Sequence, residues 1–357
     1  MEDLCQRIPS VAVMIFKNLN NQSLIASKEA SSELSQFMHN ERFYWIKIIM
    51  KHNGCFLELA LWNKILEKTP ADIIRQLADA VQKFFTERVS RRAKQWTPLH
   101  IIAEVGLLEL YKYTFEKTGE VNPQNTRGFT PLHFACQEGH FYICEFILEK
   151  ISDKNPADID GRTPLHSAAQ NGLVKVYNFV MDGLKDKNPA AINGWTPLHV
   201  AAYHGHLKVC ELIMNNLKNK NPSATIGPSD GCTPLHVAAF TGQLKVCELI
   251  MNSLENKNPA ADEGVTPLHL AAQKGQLKVC EFIMERLQDK NPPKHGGKTP
   301  LHLAATEGHF NICKLICRKI PKIDIEDQEG WTPLKFAVFK KQWSVAWLIA
   351  SFQSALH

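Results

Sequence analysis

Long hydrophobic runs are missing from this chain. No apolar stretch approaches the ~20 residues that cross a bilayer, so no membrane partner is expected. Charge of one sign is scarce too. With 41 Lys+Arg against 36 Asp+Glu, the net charge of +5 is too small to drive nucleic-acid binding by itself. The first residues, MEDLCQRIPSVAVMIFK, lack the basic start and small-residue cleavage site of a secretory signal. The ten cysteines are spread widely rather than gathered into a disulfide framework, which predicts reduced thiols in the cytoplasm or nucleus. Catalytic signatures are also wanting: there is no Gly-x-Ser-x-Gly elbow, no His-Glu-x-x-His pair and no paired-carboxylate constellation. Gly296-Gly297-Lys298-Thr299 resembles the end of a phosphate loop, but Pro292 stands where its first glycine is needed. No catalysis, cofactor or metal site is expected. At 44% hydrophobic, the sequence is nevertheless too apolar to stay disordered.

What the chain has is a repeat. Thr-Pro recurs at Thr97, Thr130, Thr163, Thr196, Thr233, Thr266, Thr299 and Thr332, with gaps of 33, 33, 33, 37, 33, 33 and 33 residues. Seven copies continue as Thr-Pro-Leu-His; the last reads Thr332-Pro333-Leu334-Lys335. The full pattern is Gly-x-Thr-Pro-Leu-His-x-Ala-Ala-x-x-Gly, followed by an apolar block such as Leu207–Ile213. Thr at an N-cap with Pro at the first helical position starts a helix. The glycines at 139, 172, 205, 242, 275 and 308 stand where that helix must end. A second helix then carries apolar residues three and four apart, for example Val209, Leu212 and Ile213. Asn-Pro marks the following turn at Asn155, Asn188, Asn221, Asn258 and Asn291. One such unit cannot bury its own apolar face, so stacking must supply the core.

This pattern resembles the ankyrin repeat, with eight copies over residues 95–357. The resemblance implies an all-α solenoid of helix-turn-helix units joined by β-turn fingers, preceded by a small helical N-terminal module. It also implies that the seven motif histidines, from His100 to His302, hydrogen-bond within and between repeats rather than hold metal. Cys144, Cys210, Cys247, Cys280 and Cys313 share one repeat phase and read as helix-packing residues. Cys313 and Cys317, four apart on a helix, read as the only pair that could meet, and nothing supplies further ligands. The last copy, with Lys335, Lys341, Trp343, Ala346 and Trp347 off pattern, reads as a C-terminal cap. Residues 225–230 lengthen the fifth finger, either as binding surface or as a tolerated loop.

Residues 1–50 carry a second pattern: Ile8-Pro9, Ile15-Phe16, Leu19, Leu24 and Trp45. This spacing resembles an F-box, a short helical module that docks on the adaptor of cullin–RING ubiquitin ligases. The resemblance implies adaptor binding through residues 4–50. A plain helical cap over the first repeat is the alternative. Residues 51–94 read as a helical connector, with Thr69-Pro70-Ala71-Asp72 as a helix start and Ile73, Ile74, Leu77, Val81, Phe84 and Phe85 along one side.

In ankyrin stacks the concave surface is made from finger tips and first helices, so positions that vary there carry specificity. Trp195, Tyr203, His204 and Phe240 form the aromatic-rich stretch; Arg162 precedes it, and Trp331 with Phe339 forms a second group. Aromatic residues and arginine are enriched at binding hot spots. Some of these rings could instead pack along the finger row. The expected role is a non-enzymatic receptor that holds a target protein for a ubiquitin ligase, or a scaffold without ubiquitin transfer.

Overall fold

The computed structural model describes residues 96–224 and 231–354. The F-box-like segment with Ile8, Pro9, Ile15, Phe16, Leu19, Leu24 and Trp45, the connector, and the inserted residues 225–230 lie outside them. Among the described residues there are sixteen α-helices, one three-residue 3-10 turn and no strand, consistent with the expected all-α class. None of these helices is long and apolar enough to cross a membrane.

The chain divides between Ile159 and Asp160 into two compact units. The described part of the first holds α1 (Pro98–Val105), α2 (Leu108–Thr118), α3 (Pro131–Glu138) and α4 (Phe141–Lys150). The second opens with α5 (Pro164–Gln170), α6 (Val174–Met181), α7 (Pro197–His204), α8 (Leu207–Asn215), α9 (Pro234–Thr241) and α10 (Leu244–Asn252). It continues with α11 (Pro267–Gln273), α12 (Leu277–Glu285), α13 (Pro300–Glu307), α14 (Phe310–Lys319), α15 (Pro333–Phe339) and α16 (Trp343–Ser354). Every odd-numbered helix is therefore a motif helix, and the even-numbered helix after it is its partner.

The motif helices start as the sequence predicts. Thr196 is extended at φ −106°, Pro197 opens α7, and the Thr196 N–H donates to Nδ1 of His199 at 3.2 Å. The histidine thus completes a reciprocal cap of the kind Glu or Gln usually supplies. Stacking follows from the small residues at the centre of each motif. Ala201, Ala202, Ala238 and Ala239 are fully buried, and with only methyl groups between them α7 packs closely against α9. The partner helices add Val209, Cys210 and Ile213, Val246, Cys247 and Ile250, and their equivalents, all buried. Truncating one of these aliphatics to Ala removes about 2–4 kcal/mol, because both neighbouring repeats lose contacts.

Two side chains in each Lys-Asn-Pro turn do more than mark it. Asn188 Oδ1 accepts from the Leu198 N–H at 2.9 Å, and Asn291 Oδ1 from the Leu301 N–H at 2.9 Å. Each such asparagine takes up an orphan donor at the start of the next motif helix. In four of the five turns the lysine before it works on the helix just ended: Lys257 Nζ donates to the carbonyl of Met251 at 2.7 Å, and Lys290 Nζ to those of Met284 and Leu287 at 2.7 and 2.8 Å, whereas Lys187 donates to Asn216 Oδ1 at 3.1 Å. A cation there also suits the negative end of the helix.

Two expectations need correction. Cys313 and Cys317 are not the only cysteines that can meet: the Sγ atoms of Cys136 and Cys144 lie 3.6 Å apart. Cys136 occupies the position that is alanine in the next five copies, so its longer side chain reaches the thiol on α4. The C-terminal pair ends the second unit without the polar outer face of a cap. Trp343 and Trp347 on α16 are 64% and 72% exposed.

Candidate protein-binding surface

The fingers are built outward from backbone carbonyls. In the fourth copy the Ala191 N–H donates to the Trp195 carbonyl at 2.8 Å, closing the turn. His166 Nε2, from the preceding copy, donates to the same oxygen at 3.0 Å. The link recurs from His199 to Cys232, His236 to Val265, His269 to Lys298 and His302 to Trp331, at 3.0–3.3 Å. In the first unit His100 reaches Phe129 in the same way at 3.0 Å. Because the threonine N–H already donates to Nδ1, the proton must sit on Nε2. Each motif histidine is therefore a fixed neutral tautomer. Burial holds His166, His199, His236 and His269 down at about 4, against partial compensation from the carbonyl each meets.

A second row ties the helix ends together. His206 Nε2 donates to the Gln170 carbonyl at 2.8 Å, Gln276 Nε2 to Phe240 at 3.3 Å and His309 Nε2 to Gln273 at 2.9 Å. These side chains pass over the helix-ending glycines of the preceding copy. A Cβ on Gly205, where φ is +78°, would lie 2.2 Å from Oε1 of Gln243. Only glycine suits both the backbone and the passage.

With the backbone committed to these ladders, recognition falls to side chains projecting from them. Trp195 is half-buried, with its ring stacked against His199 at 6.0 Å between centroids. Its other neighbour is Tyr203, also at 6.0 Å, which is 41% exposed. Tyr203 in turn meets the exposed His204 edge-on at 5.1 Å. Three of the sequence-selected residues are thus one continuous aromatic cluster, anchored by a buried framework histidine. Phe240, one copy on, is half-buried beneath Lys274, whose Nζ lies 4.8 Å from the ring centre. That cation–π contact puts a positive charge beside the aromatic cluster, and no sequence pattern pointed to it. Arg162 is exposed on the finger before.

The second group is separate, four copies later. Trp331 meets Phe339 edge-on at 5.4 Å and Phe336 at 5.2 Å, and Phe339 is 64% exposed. Trp343 and Trp347 escaped the sequence reading of binding residues. The repeat phase offered the signal: Trp347 falls where Lys314, Glu281, Glu248 and Glu211 stand in earlier copies.

Burial pushes the thiols of Cys210, Cys247 and Cys280 up to about 12. Among the described residues no group of three or more His, Cys, Asp or Glu is placed to hold a metal ion.

No curated protein matches the chain. A family model described as ankyrin repeats (3 copies) matches residues 68–158, 151–226, 215–294 and 285–355. The first match begins upstream of the first Thr-Pro copy, and together the four span most of the sequence. Period, caps, histidine ladder and family match agree: the chain belongs to the ankyrin-repeat family, whose repeats are protein–protein interaction modules.

Proposed function

We propose that this chain is the substrate-recognition subunit of a cullin–RING ubiquitin ligase. Residues 4–50 dock on the ligase adaptor through Ile8, Pro9, Ile15, Phe16, Leu19, Leu24 and Trp45, and residues 51–94 connect them to the repeats. The repeats hold a target protein against Trp195, Tyr203, His204 and Phe240, with Arg162 beside them and Trp331 and Phe339 as a second contact. The chain performs no chemistry of its own; ubiquitin transfer belongs to other subunits, in the cytoplasm or nucleus.

The observation that carries the target-binding half is the exposed Trp195–Tyr203–His204 cluster on a rigid framework. Aromatic side chains lose little entropy on binding and bury large area, which makes them effective anchors. The adaptor half is supported by the F-box-like spacing of residues 8–45.

Co-purification tests both halves in one experiment. The full chain should retain the adaptor, and Pro9→Ala with Phe16→Ala should release it. Trp195→Ala with Tyr203→Ala should reduce target capture about tenfold or more while retaining the adaptor and the wild-type thermal midpoint. Target capture without any adaptor would leave a scaffold that assembles partners without ubiquitin transfer.

A further inference from the structure

The eighth copy breaks the repeat pattern wherever that pattern serves a following copy. The motif histidine becomes Lys335, which donates to the Gly330 carbonyl of its own finger at 2.7 Å. The helix-ending glycine becomes Lys341, which keeps the left-handed backbone at φ 59°. The second alanine of the motif becomes Val338. That position is fully buried at Ala103, Cys136, Ala169, Ala202, Ala239, Ala272 and Ala305, yet Val338 is 45% exposed. The face presented by α15 and α16 is thus the one that stacks on a neighbouring copy elsewhere, and among the described residues it is left exposed.

Exposure alone calls for polar residues, since terminal repeats need a polar outer surface for solubility. This one carries the opposite. Trp343 and Trp347 are one helical turn apart on the same side of α16, at 64% and 72% exposure, with Phe339 at 64% on α15. Residues 333–354 contain Lys335, Lys340 and Lys341 and not one Asp or Glu. Lys335 lies 3.5 Å from Glu326, which leaves Lys340 and Lys341, both exposed, as the charged rim.

We propose that this face docks an acidic amphipathic helix of a partner protein. Trp343 and Trp347 are its apolar anchors, and Lys340 and Lys341 pair with its carboxylates. A helical occupant continues the geometry already present, because every internal interface of the unit is helix on helix (α13 against α15, α14 against α16). A second copy meeting this face symmetrically would oppose Lys340 and Lys341 with their own equivalents. A second copy stacking head to tail through its first motif would set Leu107, at the position of Gln342, against the Lys341 side chain, where every internal junction has glycine. A membrane-surface helix would need a broad apolar face, whereas the exposed Ser344 and Ser351 flank the two tryptophans. The inference is independent of the proposed ligase role and stands whichever way the adaptor experiment falls.

The test selects short random peptides from a displayed library against the full chain. Peptides that bind should carry net negative charge with apolar residues at helical spacing. Trp343→Ser with Trp347→Ser should weaken them about tenfold or more, and Lys340→Glu with Lys341→Glu should weaken acidic peptides while strengthening charge-reversed ones. Both variants alter exposed positions, and a wild-type circular dichroism melt checks each fold; if the tryptophan pair fails to fold, the lysine pair still decides. The proposal is overturned if binders show no acidic bias or ignore both variants. It is equally overturned if the tryptophan variant instead abolishes self-association, or sedimentation with phosphatidylcholine–phosphatidylserine vesicles.

Discussion

His302 Nε2 donates to the carbonyl oxygen of Trp331 at 3.0 Å, the last link of a ladder that joins each repeat of the second unit to the next. Its Nδ1 simultaneously accepts from the Thr299 N–H at 3.1 Å. One buried imidazole therefore caps its own helix and holds the following finger. Replacing His302 by Ala should cost about 2 kcal/mol, the sum of a lost cap and a lost buried hydrogen bond. Lys335→His should change stability by under about 0.5 kcal/mol, because Lys335 is exposed and bonds only within its own finger region. Urea denaturation followed by circular dichroism would separate the two; equal losses would show that the ladder is not what the histidine supplies.

Acid should dismantle the same ladder. Burial holds His100, His166, His199, His236 and His269 at about 4, below the value of 6.5 they regain on unfolding. Between those values the unfolded chain binds more protons, so stability is complete above about pH 6.5 and falls as pH drops toward 4. Protonation also puts a hydrogen on Nδ1, where the threonine N–H needs an acceptor. The thermal midpoint should decline progressively from pH 6.5 to pH 4, and His199→Gln should flatten part of that slope. A midpoint constant over this range would show that the histidines titrate normally.

The glycine and lysine helix ends make a reciprocal pair of predictions. Gly205→Ala must hold φ near +78° and displace the Gln243 side chain, at a cost of about 1–2 kcal/mol. Lys341→Gly relaxes a non-glycine left-handed residue and should stabilise by about 0.5–1 kcal/mol. Thermal melts of both variants beside wild type would reveal opposite shifts.

Cysteine chemistry gives the fourth prediction. Cys210, Cys247 and Cys280 are fully buried with thiols raised to about 12, while Cys232 is half-buried in a finger. Iodoacetamide at pH 8 should modify Cys232 well before the other three, which should react only on unfolding. Peptide mass spectrometry of a time course resolves each site. Early labelling of Cys247 would mean that the stack opens locally around α10.

Most of this fold was legible because a repeat writes its physics many times over. The threonine caps, helix-ending glycines and bridging histidines are local devices, and each recurs at a fixed offset, the threonine in all eight copies and the other two in seven. The aromatic cluster was visible by the complementary logic, as residues that fail to repeat. Its contacts were not: Lys274 sits over Phe240 because neighbouring helix ends converge in space, although 34 residues separate them in the chain. The same holds for Cys136, whose partner is fixed by how α3 lies on α4.

The sequence by itself determined the unit: where each helix starts, where it stops, and which face it must bury. Only the tertiary structure decided which apolar residues remain uncovered. A position buried seven times, six of them as alanine and once as Cys136, is exposed as Val338 because burial there depends on a neighbour rather than on the residue. Local signals specify a repeat, whereas the surface available to a partner is set by where the stacking ends.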